Sequence, residues 1–196
     1  MLNNEITKYL IMIVGFAVMG AGLVTILNAG LGMPPWDVFH LGLIPYLNLS
    51  FGQMIQSVGF VAIIISWLLG VKPKLGAFLN MIFIGIFVDF FNNINIIPRP
   101  EHLALQLLQL FFGIFIFAFG TVAYMRKKRG TGPRDSLMLA FGRITGFRLS
   151  IVRSIMEIIV TATGFFLGGP LGIGTVIFAL TIGPCMEISR KIMDYR

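Results

Sequence analysis

Two short segments of the sequence each end in an aspartate that follows a glycine and a proline. These segments are Gly32–Asp37 and Gly130–Asp135. Glycine and proline end a preceding helix, and a proline followed by an aspartate is typical of the first turn of a new helix, where the carboxylate faces the positive helix end. Each aspartate therefore either caps a helix or belongs to a solute or coupling-ion site at a helix break, and the sequence leaves both interpretations open.

Other polar residues near these segments, or within long apolar stretches, could join the same site. An ionisable side chain inside a membrane is costly and usually faces a protein interior or water. The candidate substrate-binding or coupling residues are Asp37, Asp135, Asp89, Glu187, Trp36, Arg134, His40, Asn80, Gln53, Gln56, Arg153 and Glu157. The candidate structural breaks are Gly32, Pro35, Gly130 and Pro133.

Several of these candidates also have a structural interpretation. Arg153 and Glu157 are four residues apart on a helix, so an intrahelical pair without a substrate role is favoured. Asn80 either hydrogen-bonds a neighbouring helix or contacts a ligand. His40 could relay protons near neutral pH, but a histidine in a short interfacial helix more often acts as an anchor.

The sequence is duplicated at an offset of 98 positions. The matched pairs include Gly32 with Gly130, Pro35 with Pro133, Asp37 with Asp135, Gly85 with Gly183, and Asp89 with Glu187. In a membrane chain, such a duplication is typical of transporters. We therefore expect Asp37 with Asp89, and Asp135 with Glu187, to form two carboxylate pairs that each hold one proton at neutral pH. The alternative is that Asp89 and Glu187 lie at the headgroup level and are merely solvated.

Composition places the chain in a membrane. Its residues are 57% apolar and only 12% charged, and its mean hydropathy is +0.90. The stretches 9–36 and 38–71 contain no Asp, Glu, Lys or Arg, and each can hold a span of roughly 20 residues. The single cysteine, Cys185, excludes an intramolecular disulfide. No enzyme, metal or nucleotide motif is present, so we expect no catalytic residues, no metal and no cofactor.

The helical pattern predicts a single all-α transmembrane domain over 1–196. Repeat 1 covers about 9–91, repeat 2 about 103–189, and the linker is 92–102. Each repeat should contain a long helix, a break, a short helix and two further helices. The short helices, Trp36–Leu47 and Arg134–Gly146, are below spanning length and should be re-entrant or interfacial.

Three spans per repeat force the two repeats to enter the membrane from opposite sides. With a cytoplasmic N-terminus, 14 of the 15 Lys and Arg residues lie inside and only Arg99 lies outside. The positive-inside rule thus predicts six spans in inverted 3+3 repeats, with both termini cytoplasmic. Eight spans would place Lys72, Lys74 and the Arg126–Arg129 run outside.

The duplicated Gly-x-x-Pro-x-Asp element and the Arg126–Arg129 run carry a resemblance to a known group. Over essentially its whole length, the chain resembles the bacterial YczE/YyaS/YitT membrane proteins. The resemblance implies a small protein of the bacterial cytoplasmic membrane without a defined substrate. It supplies no established binding residues.

Together these features favour a small secondary transporter, proton-coupled if a gradient drives it, that works by alternating access. The excess of carboxylates favours a cationic, zwitterionic or neutral solute, whereas Arg134 and Arg153 could bind an anionic group instead. The expected partners are the lipid bilayer and a small solute; a homodimer stays open, and no nucleic acid is expected. The alternative is a non-transporting scaffold or assembly factor that docks a cytoplasmic biosynthetic enzyme on the basic face between Arg126 and Arg153.

The charge partition makes the topology testable with single cysteines at Asn93 and Lys127 in a Cys185→Ser background. We expect an impermeant thiol reagent to label Asn93→Cys in intact cells, because the linker faces outward, and to spare Lys127→Cys until the cells are permeabilised. Equal labelling of both cysteines in intact cells would contradict the inverted orientation.

Overall fold

A computed structural model describes residues 2–127 and 132–194 of the protein, with side chains from residue 6 onward. Its described part contains eight helices and no strand: α1 (Leu2–Ala29), α2 (Pro35–Leu47), α3 (Phe51–Leu68), α4 (Leu75–Asn93), α5 (Leu103–Met125), α6 (Pro133–Thr145), α7 (Leu149–Phe166) and α8 (Ile173–Asp194). Gly130 of the second predicted break, and part of the basic run before it, lie outside the described residues.

Six of these helices are long and apolar enough to cross a membrane, and α2 and α6 are not among them. At 1.5 Å per residue, the 13 residues of each short helix extend only about 20 Å. Large apolar side chains such as Leu68 and Phe166 point outward, where lipid would cover them. The structure confirms the predicted all-α protein with six long helices and two short ones, and the chain is a multi-pass membrane protein.

Local sequence chemistry fixes the ends of the short helices. Pro35 and Pro133 occupy the first helical position, which needs no N–H, so each helix begins one residue earlier than predicted. Asn48 ends α2 and Gly146 ends α6, both with left-handed backbone. Short helices result because the signals for starting and stopping lie close together.

α1 and α5 form the centre of the bundle and approach each other through small residues. A Cβ added to Gly22 would lie 2.6 Å from the backbone nitrogen of Phe117, and one added to Gly120 would lie 2.6 Å from the carbonyl oxygen of Gly15. Glycine lets helix backbones approach this closely in a membrane. Large side chains of α1, including Phe16 and Leu23, are fully buried there.

The other helices surround this central pair. α4 packs on α1 and α8 packs on α5, while α2 contacts α3 and α7, and α6 contacts α3, α4 and α7. α3 also packs closely on α4, but no comparable interface joins α7 to α8 in the described residues. The short helices therefore lie between the long ones, and one side of the bundle is packed less tightly.

The central crossing predicts that Gly22→Ala lowers stability by about 1–3 kcal/mol, because its methyl group would overlap the backbone of Phe117. Thermal unfolding in detergent measures the effect. Gly183→Ala is the matched control, since an added Cβ meets no atom within 4 Å there. Equal melting temperatures for the two variants would contradict close packing of α1 on α5.

Candidate functional site

The N-terminal ends of the two short helices meet inside the bundle. The Arg134 guanidinium at the start of α6 lies over the Trp36 ring at the start of α2, 5.3 Å from its centroid. Arg134 Nη2 also lies 3.4 Å from Asp37 Oδ1. A cation over an indole and an ion pair thus join the two helix ends.

Asp37 is the most deeply buried charged side chain of this contact, with no exposed surface. His40, one turn further along α2, places Nδ1 2.9 Å from Asp37 Oδ1. Asp37 Oδ2 has no hydrogen-bond partner. The local sequence explains this unpaired oxygen, because Pro34 and Pro35 lack the N–H groups that would otherwise reach the carboxylate of a first-turn residue.

Asp135 occupies the corresponding place in α6 but has different surroundings. Its helix follows Gly132, whose backbone hydrogen-bonds the Asp135 carboxylate, and the charges of Arg153 and Arg134 act on it. Asp135 is half-buried, unlike Asp37. The Asp135 carboxylate is therefore bonded by the backbone at the start of its own helix. The Asp37 carboxylate is bonded instead by the side chains of His40 and Arg134.

A cavity of about 200 Å³ lies against these helix ends, and we call it the central cavity. Its polar lining comprises His40, Asn80, Thr121, Arg134, Asp135, Arg153 and Glu157. Much of its wall is apolar and includes Trp36, Phe117, Phe178, Met19, Met81, Met138, Met156 and Met186. The volume lies below the roughly 300–1,000 Å³ of common ligand pockets, so only a small molecule would fit, and methionine walls adapt to irregular shapes.

Three further sequence candidates line the central cavity. Asn80 on α4 is buried and lies beside Gly132, the residue before α6. Arg153 Nε donates to Glu157 Oε1 at 2.9 Å, as the spacing of four predicts. Both members of this pair also line the cavity, so the pairing does not decide between the structural and the ligand-binding interpretation.

Besides Asp37, which is fully buried behind the cavity wall, four sequence candidates do not line the central cavity. Gln53 caps the N-terminus of α3 together with Ser50, and Gln56 donates to the carbonyl of Ile82 on α4 at 3.0 Å. Asp89 accepts from the backbone of Gly52 and the hydroxyl of Ser50. Glu187, which is 59% exposed, lies 3.2 Å from Lys191 on its own helix.

The structure therefore does not show the carboxylate pairs that the offset of 98 predicts. The partners of Asp37 are His40 and Arg134, and no hydrogen bond joins it to Asp89. The physical reason is that Asp89 lies within reach of the free N–H groups at the start of α3, which bind a carboxylate well. Sequence reasoning missed Ser50, although Ser-x-x-Gln before an apolar run is a capping signal.

Two further pockets lie near the central cavity. The basic pocket contains Lys72, Lys74 and Arg143, and it shares the lining residues Tyr124, Met125 and Asp135 with the central cavity. The loop pocket contains Asp89, Arg99 and Glu101 and shares no described lining residue with the central cavity. The central cavity thus borders the basic pocket, whereas it has no lining residue in common with the loop pocket.

Comparison with known proteins places the chain among proteins without an assigned activity. The family model described as "Family of unknown function (DUF6198)" matches residues 6–191. "Uncharacterized membrane protein YczE" of Bacillus subtilis is 33% identical over 177 residues, which cover 89% of this chain and 81% of that protein. "Uncharacterized protein YyaS" of the same organism is 22% identical over 191 residues, covering 95% and 94%.

An uncharacterized protein of Haemophilus influenzae is 31% identical over 183 residues, which cover 93% of this chain and 83% of that protein. No solved structure matches the chain. These matches confirm the resemblance to the YczE and YyaS proteins.

The buried contact predicts different costs for neutralising the two kinds of carboxylate. Asp37→Asn should lower the unfolding free energy by about 1.5–3 kcal/mol, because it removes charge-assisted bonds inside the protein. Glu157→Gln, in a more exposed pair, should cost less than about 1 kcal/mol. Thermal unfolding in detergent compares the variants, and an Asp37→Asn protein as stable as Glu157→Gln would contradict a charged Asp37.

Proposed function

Because the chain belongs to the DUF6198 family, whose description assigns no activity, we propose a function from its own geometry: a small secondary transporter that moves a solute through the central cavity by alternating access. The observation that carries this proposal is the meeting of two short-helix N-termini at a cavity inside a bundle of six long helices. Discontinuous helices with their ends at a cavity are the usual binding device of secondary transporters.

Helix packing supports the inverted repeat on which alternating access would depend. Under the offset of 98 positions, α1 to α4 correspond to α5 to α8. The packing of α1 on α4 then corresponds to that of α5 on α8, and α2 on α7 corresponds to α6 on α3. The matched residues Trp36 and Arg134 contact each other, as expected for positions near a two-fold axis.

The charges around the central cavity favour a neutral or zwitterionic solute. Asp37, Asp135 and Glu157 are opposed by Arg134 and Arg153, and each short helix adds about half a positive charge at its N-terminus. These contributions nearly cancel, so a solute with net charge would leave the site unbalanced. The methionine and aromatic wall favours a solute with an apolar part.

Asp37 is the residue that best fits proton coupling. Its Oδ2 has no donor, and His40 connects the carboxylate to the lining of the cavity. Protonation of Asp37 would weaken the ion pair with Arg134 and free the guanidinium for a solute carboxylate. We propose that proton and solute binding are linked through this exchange.

The orientation follows from the positive-inside rule. Lys72, Lys74 and Arg143 border the basic pocket, so that pocket should face the cytoplasm. Since the central cavity shares Tyr124, Met125 and Asp135 with that pocket, we propose that the structure represents a state nearer to cytoplasmic opening, in the cytoplasmic membrane of a bacterium.

A binding screen tests the proposed function. The purified protein is heated at two pH values with single neutral, zwitterionic, cationic or anionic metabolites, and we expect a neutral or zwitterionic one to raise the melting temperature. At a concentration 100 times Kd, binding adds about 2.7 kcal/mol to stability. The same solute should enter proteoliposomes faster when a pH gradient is imposed, and an ionophore should abolish that increase.

The matched variants are Met138→Trp, which fills the central cavity, and Leu180→Trp, whose side chain is exposed on the lipid side. We expect Met138→Trp to lose the thermal shift and the uptake while Leu180→Trp keeps both. Absence of stabilisation by any neutral or zwitterionic metabolite, or equal stabilisation of both variants, would contradict the proposal. A scaffold would instead lose function when the Arg126–Arg129 run is removed and tolerate the filled cavity.

A further inference from the structure

The contact between α3 and α4 is closed by two glycines. A Cβ added to Gly52 would overlap the carbonyl oxygen of Gly85, and one added to Gly85 would lie 2.5 Å from the carbonyl oxygen of Gly52. The two backbones therefore touch, which is possible only without side chains at both positions. Helices α3 and α4 leave no path between them at this level.

A carboxylate holds the same contact together. Asp89 Oδ1 accepts from the Gly52 N–H at 2.8 Å, and Asp89 Oδ2 accepts from the Ser50 hydroxyl. Asp89 thus caps the N-terminus of α3 from the neighbouring helix, where the first N–H groups have no partner in their own helix. We call the residues Ser50, Gly52, Gly85 and Asp89 the outer clasp.

The residues 98 positions later are Arg148, Ser150, Gly183 and Glu187, and they are separated in this structure. A Cβ added to Gly183 would meet no heavy atom within 4 Å. Arg148 is the residue before α7 and makes no side-chain cap. Glu187 contacts Lys191 instead, and only Val152 and Gly164 of α7 are buried.

These residues lie at the end of the bundle where the basic pocket is found. Arg126 follows α5 directly and lies 2.9 Å from Asp194, the last residue of α8, and Met125 before it lines the basic pocket. The C-terminal part of α8 and the cytoplasmic opening proposed above are therefore on one side. The contacts that are missing between α7 and α8 thus lie at the end where the basic pocket is found.

We propose that Arg148, Ser150, Gly183 and Glu187 form an inner clasp that closes the cavity from the cytoplasm. On closing, Glu187 leaves Lys191 and docks on the N-terminus of α7, where it accepts from the Ser150 N–H and pairs with Arg148. The inference rests on the proposed inverted repeat and alternating access. It adds a specific set of contacts that this structure does not contain.

The chemistry of the residues fits this docking. Ser50 in the outer clasp corresponds to Arg148 in the inner one, so a neutral hydroxyl is replaced by a cation opposite a carboxylate. The N-terminus of α7 supplies free N–H groups and a partial positive charge for Glu187. Because the inner clasp would be an ion pair near water, its closed form should weaken at high salt.

Cysteine cross-linking tests the inner clasp. Ser150→Cys with Gly183→Cys, in a Cys185→Ser background and in native membranes, should form a disulfide with a mild oxidant, because closing brings the N-terminus of α7 against α8 at these two positions. Both positions are exposed or uncrowded here, so the variant should fold. The matched control is Ser150→Cys with Ile188→Cys, whose counterpart Phe90 is 53% exposed in the closed outer half.

We expect several-fold more disulfide in the Ser150–Gly183 variant than in the control. Absence of the disulfide, or equal yields in the two variants, would overturn the inner clasp. Adding Glu187→Arg to the Ser150–Gly183 cysteine variant should lower the disulfide yield about threefold, the effect of losing one exposed ion pair. Combining Glu187→Arg with Arg148→Glu should restore the yield, and failure of this rescue would overturn the Arg148–Glu187 pairing.

The test separates this inference from the proposed function because cross-linking needs no solute. If a solute stabilises the protein, Met138→Trp abolishes that stabilisation and no Ser150–Gly183 disulfide forms, the proposed function stands and the inner clasp is overturned. If the Ser150–Gly183 disulfide forms specifically but no solute binds, the inner clasp stands and the proposed function is overturned.

Discussion

The buried carboxylate of Asp37 is the interaction on which the centre of the molecule depends. It contacts His40 on its own helix and Arg134 on α6, so it joins the two short helices. A charge without partners in the interior costs several kcal/mol. While Asp37 is charged it therefore holds Arg134 beside it, and this ion pair joins the ends of α2 and α6 at the central cavity.

The membrane imposes a second condition on the same region, because every interrupted helix exposes backbone groups that lipid cannot bond. Prolines at the start of α2 remove two of its N–H groups. The loop before α2 is bonded to the loop before α8, through Met33 N to Pro170 O at 3.1 Å and Gly174 N to Leu31 O at 2.7 Å. The break before α2 is therefore sheltered by protein.

The number and type of helices could be predicted from sequence because they depend on local signals. Apolar length separates the six long helices from the short ones, and proline fixes the start of α2 and α6. The partners of the polar residues depend on which helices pack together, and no local pattern records that. Gln53 and Gln56 looked like ligand residues, yet one caps α3 and the other bonds α4. Asp89 was equally beyond prediction, since its partner Ser50 lies 39 residues away.

The duplicated sequence also explains why the two halves of the molecule differ in packing. At the contact that α3 makes with α4, the first half has Gly52 and the second has Ser150, while Ser50 is replaced by Arg148. Glycine allows the backbones to touch, whereas serine and arginine add bulk and charge that favour water. The same arrangement should thus be more stable in the first half than in the second. This difference in sequence agrees with the observed packing, in which α3 packs on α4 and no comparable interface joins α7 to α8 in the described residues.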